Sequence, residues 1–255
     1  MWLFLNEGAA TVSDAMSEPR LNAVSSRKVR LLCSARTLCF TLLISALALW
    51  GAFLLDETVL KLVRKHAHGW SGWLAHQVSF WGDSFGVAAI SLLCWWQARR
   101  RNALQWKRLV IVMALCSVLG GLSANVIRTL TGRARPNSGV VAGWYGPAKG
   151  LPLSKSAHAF QSFPSAHTGV VAGFCAPLGW VALRCHRRRI LFLGLGLSLS
   201  GTALMAWARV WVGAHHLSDV LAAALAGWAI ALAWLHYRAP ELTLDPELPD
   251  DGEPS

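Results

Sequence analysis

Of the 255 residues, 54% are hydrophobic and only 15% charged, 14 are Trp, and the formal net charge is +11. Together with a mean hydropathy of +0.41, that balance excludes a water-soluble domain or a disordered chain and marks an integral membrane protein of one domain. The excess of basic residues would suit nucleic acid as a partner if it formed a polar face; here it lies in clusters beside apolar runs, which excludes that reading.

In chain order, residues 1–26 mix small and polar types without a period and are expected to be a disordered cytoplasmic N-terminus. The apolar run within them is too short for a secretory signal, so the first span is expected to serve as an uncleaved signal anchor, although Ala46-Leu47-Ala48 mimics a cleavage site. A helix needs about 17 to 25 apolar residues to cross a bilayer core, and six stretches qualify: Thr37 to Leu55, Phe80 to Ala98, Leu109 to Ile127, Thr168 to Leu183, Ile190 to Ala206 and Leu217 to Tyr237. Asp83 lies near the start of the second, and Pro177 within the fourth predicts a kink. Between the first two, Asp56 to Ser79 interleaves Val59, Leu60, Leu62, Val63, Trp70 and Trp73 with Lys61, Arg64, Lys65, His66 and His68, the pattern of an interfacial helix. The expected fold is thus an all-α six-transmembrane-helix bundle over residues 27–238 with a short interfacial helix after the first span. Residues 239–255, acidic and rich in proline, are expected to be a disordered cytoplasmic tail.

Lys and Arg accumulate on the cytoplasmic side of membranes. Arg27, Lys28, Arg30 and Arg36 precede the first span, Arg99, Arg100, Arg101, Lys107 and Arg108 separate the second from the third, and Arg184, Arg187, Arg188 and Arg189 separate the fourth from the fifth. Both termini are therefore expected inside a cytoplasmic (inner) membrane. No cysteine falls in the outer loops, since Cys33 and Cys185 are on the inner side and Cys39, Cys94, Cys116 and Cys175 lie within spans, which argues against a disulfide framework.

The opposite surface carries the polar motifs. At the end of the third span Arg128, Arg133 and Arg135 crowd an outer surface where the topology rule disfavours positive charge, and guanidinium forks suit an anion. Snorkelling to headgroups is the bland alternative. Before the fourth span stands Phe163-Pro164-Ser165-Ala166-His167-Thr168, where Ser165 or the preceding Ser162 suits the helix cap and Pro164 its first turn. Such an N-terminus presents unpaired N–H groups to phosphate, Ser165 can donate its hydroxyl, and His167 can deliver a proton. At the start of the last span His215 and Asp219 are four apart, so the carboxylate can hydrogen-bond one ring nitrogen and leave the other as a nucleophile. His216 competes for the same carboxylate.

These residues together, Arg128-x6-Arg135-Pro136, Pro164-Ser165-Ala166-His167 and Arg209-x5-His215-x3-Asp219, resemble the type 2 phosphatidic acid phosphatase superfamily. The family's pattern is Lys-x6-Arg-Pro, Pro-Ser-Gly-His and Ser-Arg-x5-His-x3-Asp, so Arg128 replaces Lys, Ala166 replaces Gly and Ala208 replaces Ser. The resemblance implies a metal-independent phosphatase without a cofactor, acting on a membrane lipid phosphate in the bilayer, with its site on the periplasmic side. It assigns attack on phosphorus to His215, orientation of that ring to Asp219 and proton donation to His167. Arg128, Arg135, Arg209, Ser165 and the N–H groups at Ala166 and His167 would bind phosphate. Undecaprenyl diphosphate leads the substrates, followed by phosphatidylglycerol phosphate, phosphatidate and the 1-phosphate of lipid A. The loop Asn137 to Ser162, with Trp144, Tyr145, Lys149, Lys155 and His158, is expected to shape specificity. A lipid-to-lipid phosphotransferase would use the same residues; a vanadium haloperoxidase shares the anion cradle but is typically soluble; a non-enzymatic transporter or scaffold would place its charges mid-bilayer. The sequence leaves the oligomeric state open.

Overall fold

The computed structural model describes residues 18–150, 157–184 and 188–238, with side chains from residue 36. Two compact units are distinguished, residues 1–48 and 49–255. The described part of the first is helical, beginning at Glu18, inside the stretch expected to be disordered. Lys155, Cys185, Arg187, residues 1–17 and the tail 239–255 lie outside the described residues, as do the side chains of Arg27, Lys28, Arg30 and Cys33.

The architecture is all-helical. In order, the elements are α1 (Glu18–His66), α2 (Gly69–Trp81), α3 (Ser84–Arg100), α4 (Leu104–Thr131), the single turn α5 (Pro147–Gly150), a 3-10 turn at Ala157–Phe160, α6 (Ala166–Arg184), α7 (Arg188–Trp211) and α8 (Leu217–Arg238). Within α1, α4, α6, α7 and α8 the chain is long and apolar enough to cross a membrane, and a sixth crossing exists if α2 and α3, bent by 65° against each other, form one broken span. Helix α6 runs on through Pro177.

Two expectations are corrected. The segment Asp56 to Ser79 is not one interfacial helix: α1 continues unbroken to His66, because Val63 packs with Val210 and Val220 and Asp56 is itself buried. The break falls at Ala67 and His68, before Gly69 at φ +62°. The second apolar stretch is also divided, since Asp83 occupies the N-cap position of α3 in an extended conformation and leaves Phe80 and Trp81 at the end of α2.

Helix α6 is the centre of the bundle, packed against α4, α7 and α8 and the most buried of the spans. Backbones meet there directly. A Cβ at Gly120 of α4 would lie 2.3 Å from the Gly169 carbonyl oxygen, and one at Gly173 of α6 would lie 2.2 Å from that of Cys116. Small residues four apart on α6 are what permit this approach, the means by which helices associate in lipid where hydrophobic burial gives little drive. Around the seam pack Val112, Cys116, Ala176, Ala231 and Leu235. The closely packed α4–α6–α8 core thereby sets the separation of the three helix ends that carry polar side chains.

Candidate active site

Helix α4 stops at Gly132, whose left-handed φ of +59° is favourable only to residues without a Cβ, and whose N–H caps the Arg128 carbonyl. The chain then runs beside the loop before α6: Arg135 N–H donates to Ala159 O at 2.8 Å and Ser162 N–H to Arg133 O at 3.0 Å, and the Thr131 hydroxyl reaches Phe163 O at 2.7 Å. Ser165 N–H donates to the Asp219 carbonyl of α8 at 3.1 Å. Three distant segments are woven together largely through backbone groups.

Ser165 stands at the cap position of α6, where its carbonyl accepts the Gly169 N–H and its hydroxyl accepts from Thr168 at 3.1 Å. Pro164 follows a cis peptide bond and precedes the helix, so it is not in the first turn as expected. Ser162 is no cap either; its hydroxyl donates to Asp219 Oδ2 at 2.5 Å. The first N–H groups of α6, at Ala166 and His167, have no acceptor within the helix.

The ring of His215 is buried. Its Nδ1 lies 2.8 Å from the Ser162 carbonyl; a carbonyl only accepts, so Nδ1 carries the hydrogen and Nε2 the bare lone pair. Nε2 is buried and meets no hydrogen-bond partner. Burial holds this imidazole far below the ordinary histidine range, at about 3, with Arg135 and Arg209 pushing the same way and Asp219 pulling against them. The ring is therefore neutral at physiological pH. The expected His215–Asp219 hydrogen bond is not made: Oδ2 is 3.8 Å from Nδ1, too far for one, and acts as a nearby charge. The reason is competition, because Oδ2 already accepts from Ser162 and from the His216 N–H at 2.8 Å, with His216 Nδ1 at 3.1 Å.

Around that lone pair gather cations. The Nε atoms of Arg128, Arg135 and Arg209 are all buried and unpartnered. Arg135 is depressed to about 10 by burial and by the charges of Arg209 and Arg128, and it stays a cation at neutral pH. The imidazole of His158, exposed at the edge of the group, is pushed down chiefly by Arg135. Arg209 is anchored by an Nη1 hydrogen bond to the buried Ser79 hydroxyl of α2. His167 turns Nε2 toward Asp83 Oδ1 at 3.4 Å. Like charges held together in a buried pocket repel, and a tetrahedral anion relieves that repulsion while accepting from each fork.

The PAP2 superfamily matches residues 105–242, which run from the second residue of α4 past the end of α8. The chain belongs to that superfamily. Membership in PAP2 makes it an enzyme of the lipid phosphatase class. Lipid A 1-phosphatases of Rhizobium etli and Rhizobium johnstonii are each 32% identical over 193 residues, 71% of this chain and 77% and 73% of theirs. No solved structure is a significant match.

Of the residues expected from the PAP2 pattern, Arg135, Arg209, His215 and Asp219 are within electrostatic reach of one another, and Arg128 and His158 share that field. Ser165 and Ala166 sit at the α6 N-terminus beside Asp219. Arg133 goes elsewhere. Its guanidinium bridges Asp219 Oδ1 at 2.6 Å and Asp56 Oδ2 at 2.8 Å, and lies over the rings of Phe53 and Trp144. Asp56 in turn accepts the Ser218 N–H at 2.9 Å and hydroxyl at 2.6 Å, so a carboxylate from α1 caps the start of α8. Sequence reasoning missed Asp56, Ser79 and Ser162. The acidic pair Asp56-Glu57 at the end of an apolar run was the available signal for Asp56; for the Ser162 carbonyl that holds His215 there was none. Among the described residues no group of three or more His, Cys, Asp or Glu could hold a metal ion.

Proposed function

We propose that this PAP2 protein hydrolyses a lipid phosphate through a covalent phosphohistidine on His215. The observation that carries the reading is the neutral His215 ring, with Nδ1–H fixed on Ser162 O and a bare, buried Nε2 amid three unpartnered guanidinium Nε atoms. The Nε2 lone pair attacks phosphorus, the bond to the leaving oxygen breaks, and His167 supplies that oxygen with a proton. Water then attacks the phosphohistidine, returning a proton to His167 and releasing inorganic phosphate and neutral His215. Asp219 stabilises the charge that the ring acquires and steadies it through Ser162. Arg128, Arg135, Arg209, the Ser165 hydroxyl and the N–H groups at Ala166 and His167 bind the equatorial oxygens, where transition-state charge is shared.

The names of the relatives move the 1-phosphate of lipid A from last to first among candidate substrates, ahead of undecaprenyl diphosphate, phosphatidylglycerol phosphate and phosphatidate. The arginine clusters favour both termini in the cytoplasm and a periplasmic site in the inner membrane. The test is phosphate release by the detergent-purified protein from these four lipids under excess chelator. Lipid A turned over fastest, no turnover in His215→Ala or His167→Ala, and labelled phosphate trapped on His215 are expected; activity that survives His215→Ala, or that requires a divalent metal, defeats the mechanism.

A further inference from the structure

Asp83 is the N-cap residue of α3, yet its side chain makes no capping hydrogen bond. An aspartate at that position ordinarily accepts from an N–H of the first turn; here Oδ1 faces His167 Nε2 at 3.4 Å instead. Both side chains are open to the outside, His167 at 26% and Asp83 at 44% exposure, so the pair is reachable from a bound lipid. They share the wall of a cavity of about 640 Å³ with His76, Ser79 and Trp81, at the α2–α3 bend. Ser79 ties that wall to the arginine cluster through Arg209. The bend is held closely: a Cβ at Gly86 would lie 2.0 Å from the Trp81 backbone carbonyl oxygen.

A proton donor must carry the proton it gives, and His167 sits within reach of Arg209, Arg135 and Arg128, three charges hostile to a fourth. We infer that Asp83 is the positioning residue of His167, pairing with the protonated ring and aiming it at the leaving oxygen as that oxygen emerges into the cavity. The inference rests on the proposed phosphohistidine route. When the phosphorus–oxygen bond breaks, the proton passes from the imidazolium to the departing alkoxide and the ring becomes neutral. Asp83 itself exchanges no proton and touches no reacting atom.

The distinguishing measurement compares two substrates of equal chain length in detergent: a long-chain alkyl phosphate, whose leaving oxygen needs a proton, and a long-chain nitrophenyl phosphate, whose phenolate departs without one. Asp83→Asn is expected to lower kcat on the alkyl substrate about 10- to 100-fold and on the nitrophenyl substrate less than about threefold. His167→Ala should abolish turnover of the alkyl substrate, and Asp83→Glu should recover most of the alkyl activity. Equal losses on both substrates, or none on either, overturn the role of Asp83 while leaving His215 intact as nucleophile. Turnover that survives His215→Ala overturns both readings together.

Discussion

Arg133 donates to Asp219 across a buried contact of 2.6 Å, and this pair, extended to Asp56 at 2.8 Å, fills the side of the carboxylate that faces away from His215. Removing one member of a buried ionic network strands the others in a low dielectric. Arg133→Met should therefore destabilise the protein by about 3–5 kcal/mol. The double variant Asp56→Asn/Arg133→Met should fall short of the summed single losses by about 0.5–3 kcal/mol. Thermal or denaturant unfolding in detergent supplies the cycle; additive losses would mean the residues act independently.

The two adjacent histidines should separate cleanly. His215→Gln is expected to lower kcat by more than about 10³-fold, the scale on which nucleophile removals act. His216, whose ring shares an oxygen that still has the Ser162 hydroxyl and a backbone N–H, should cost no more than about tenfold as His216→Gln. Phosphate release by the two variants is the measurement, and a reversed order would move the nucleophile to His216.

Stability should depend on pH through His215. Its folded value of about 3 lies below the ordinary 6.5, so between these limits the unfolded ring binds a proton that the folded ring refuses. The folded state therefore loses stability as pH falls from 6.5 toward 3 and is unaffected above that window. Melting temperatures from pH 7 to pH 4 should decline less steeply for His215→Gln than for the wild type. Parallel curves would show that the ring is protonated in the folded protein.

The backbone seam predicts a contrast between glycines. Gly173→Ala would push a methyl to 2.2 Å from the Cys116 carbonyl oxygen and should cost about 1–3 kcal/mol. Gly196→Ala in α7, with nothing within 4 Å, should instead stabilise by about 0.5–1 kcal/mol. Unfolding midpoints of the two variants in one detergent decide it.

Much of this was legible in the sequence, for physical reasons. Five of the six apolar stretches lie within helices of spanning length because a bilayer leaves an apolar chain little choice. Arg135, Arg209, His215 and Asp219 could be nominated because their side-chain chemistry and spacing are specific. What stayed hidden depends on context. Charged residues after Leu55 resemble an interface, and the partners of Asp56, residues 133 and 218, with the packing of Val63, explain why α1 continues through it. Arg133 and Arg135 are identical in type and two apart, yet one bridges carboxylates while the other keeps a bare Nε near His215. The ring of His215 is held by a carbonyl, a group every residue has.

The cap that Asp56 places on Ser218 joins residues 162 positions apart. During biosynthesis residue 56 leaves the ribosome long before its donors on Ser218 exist, and a carboxylate waiting inside a bilayer is costly. A nascent chain stopped before Leu217 holds Asp56 with Arg133 and already carries His215 and His216, but it lacks Ser218 and Asp219. Arrival of the final helix is thus the event that completes the proposed centre, and on that reading a partly translated chain in the membrane is idle until the helix inserts.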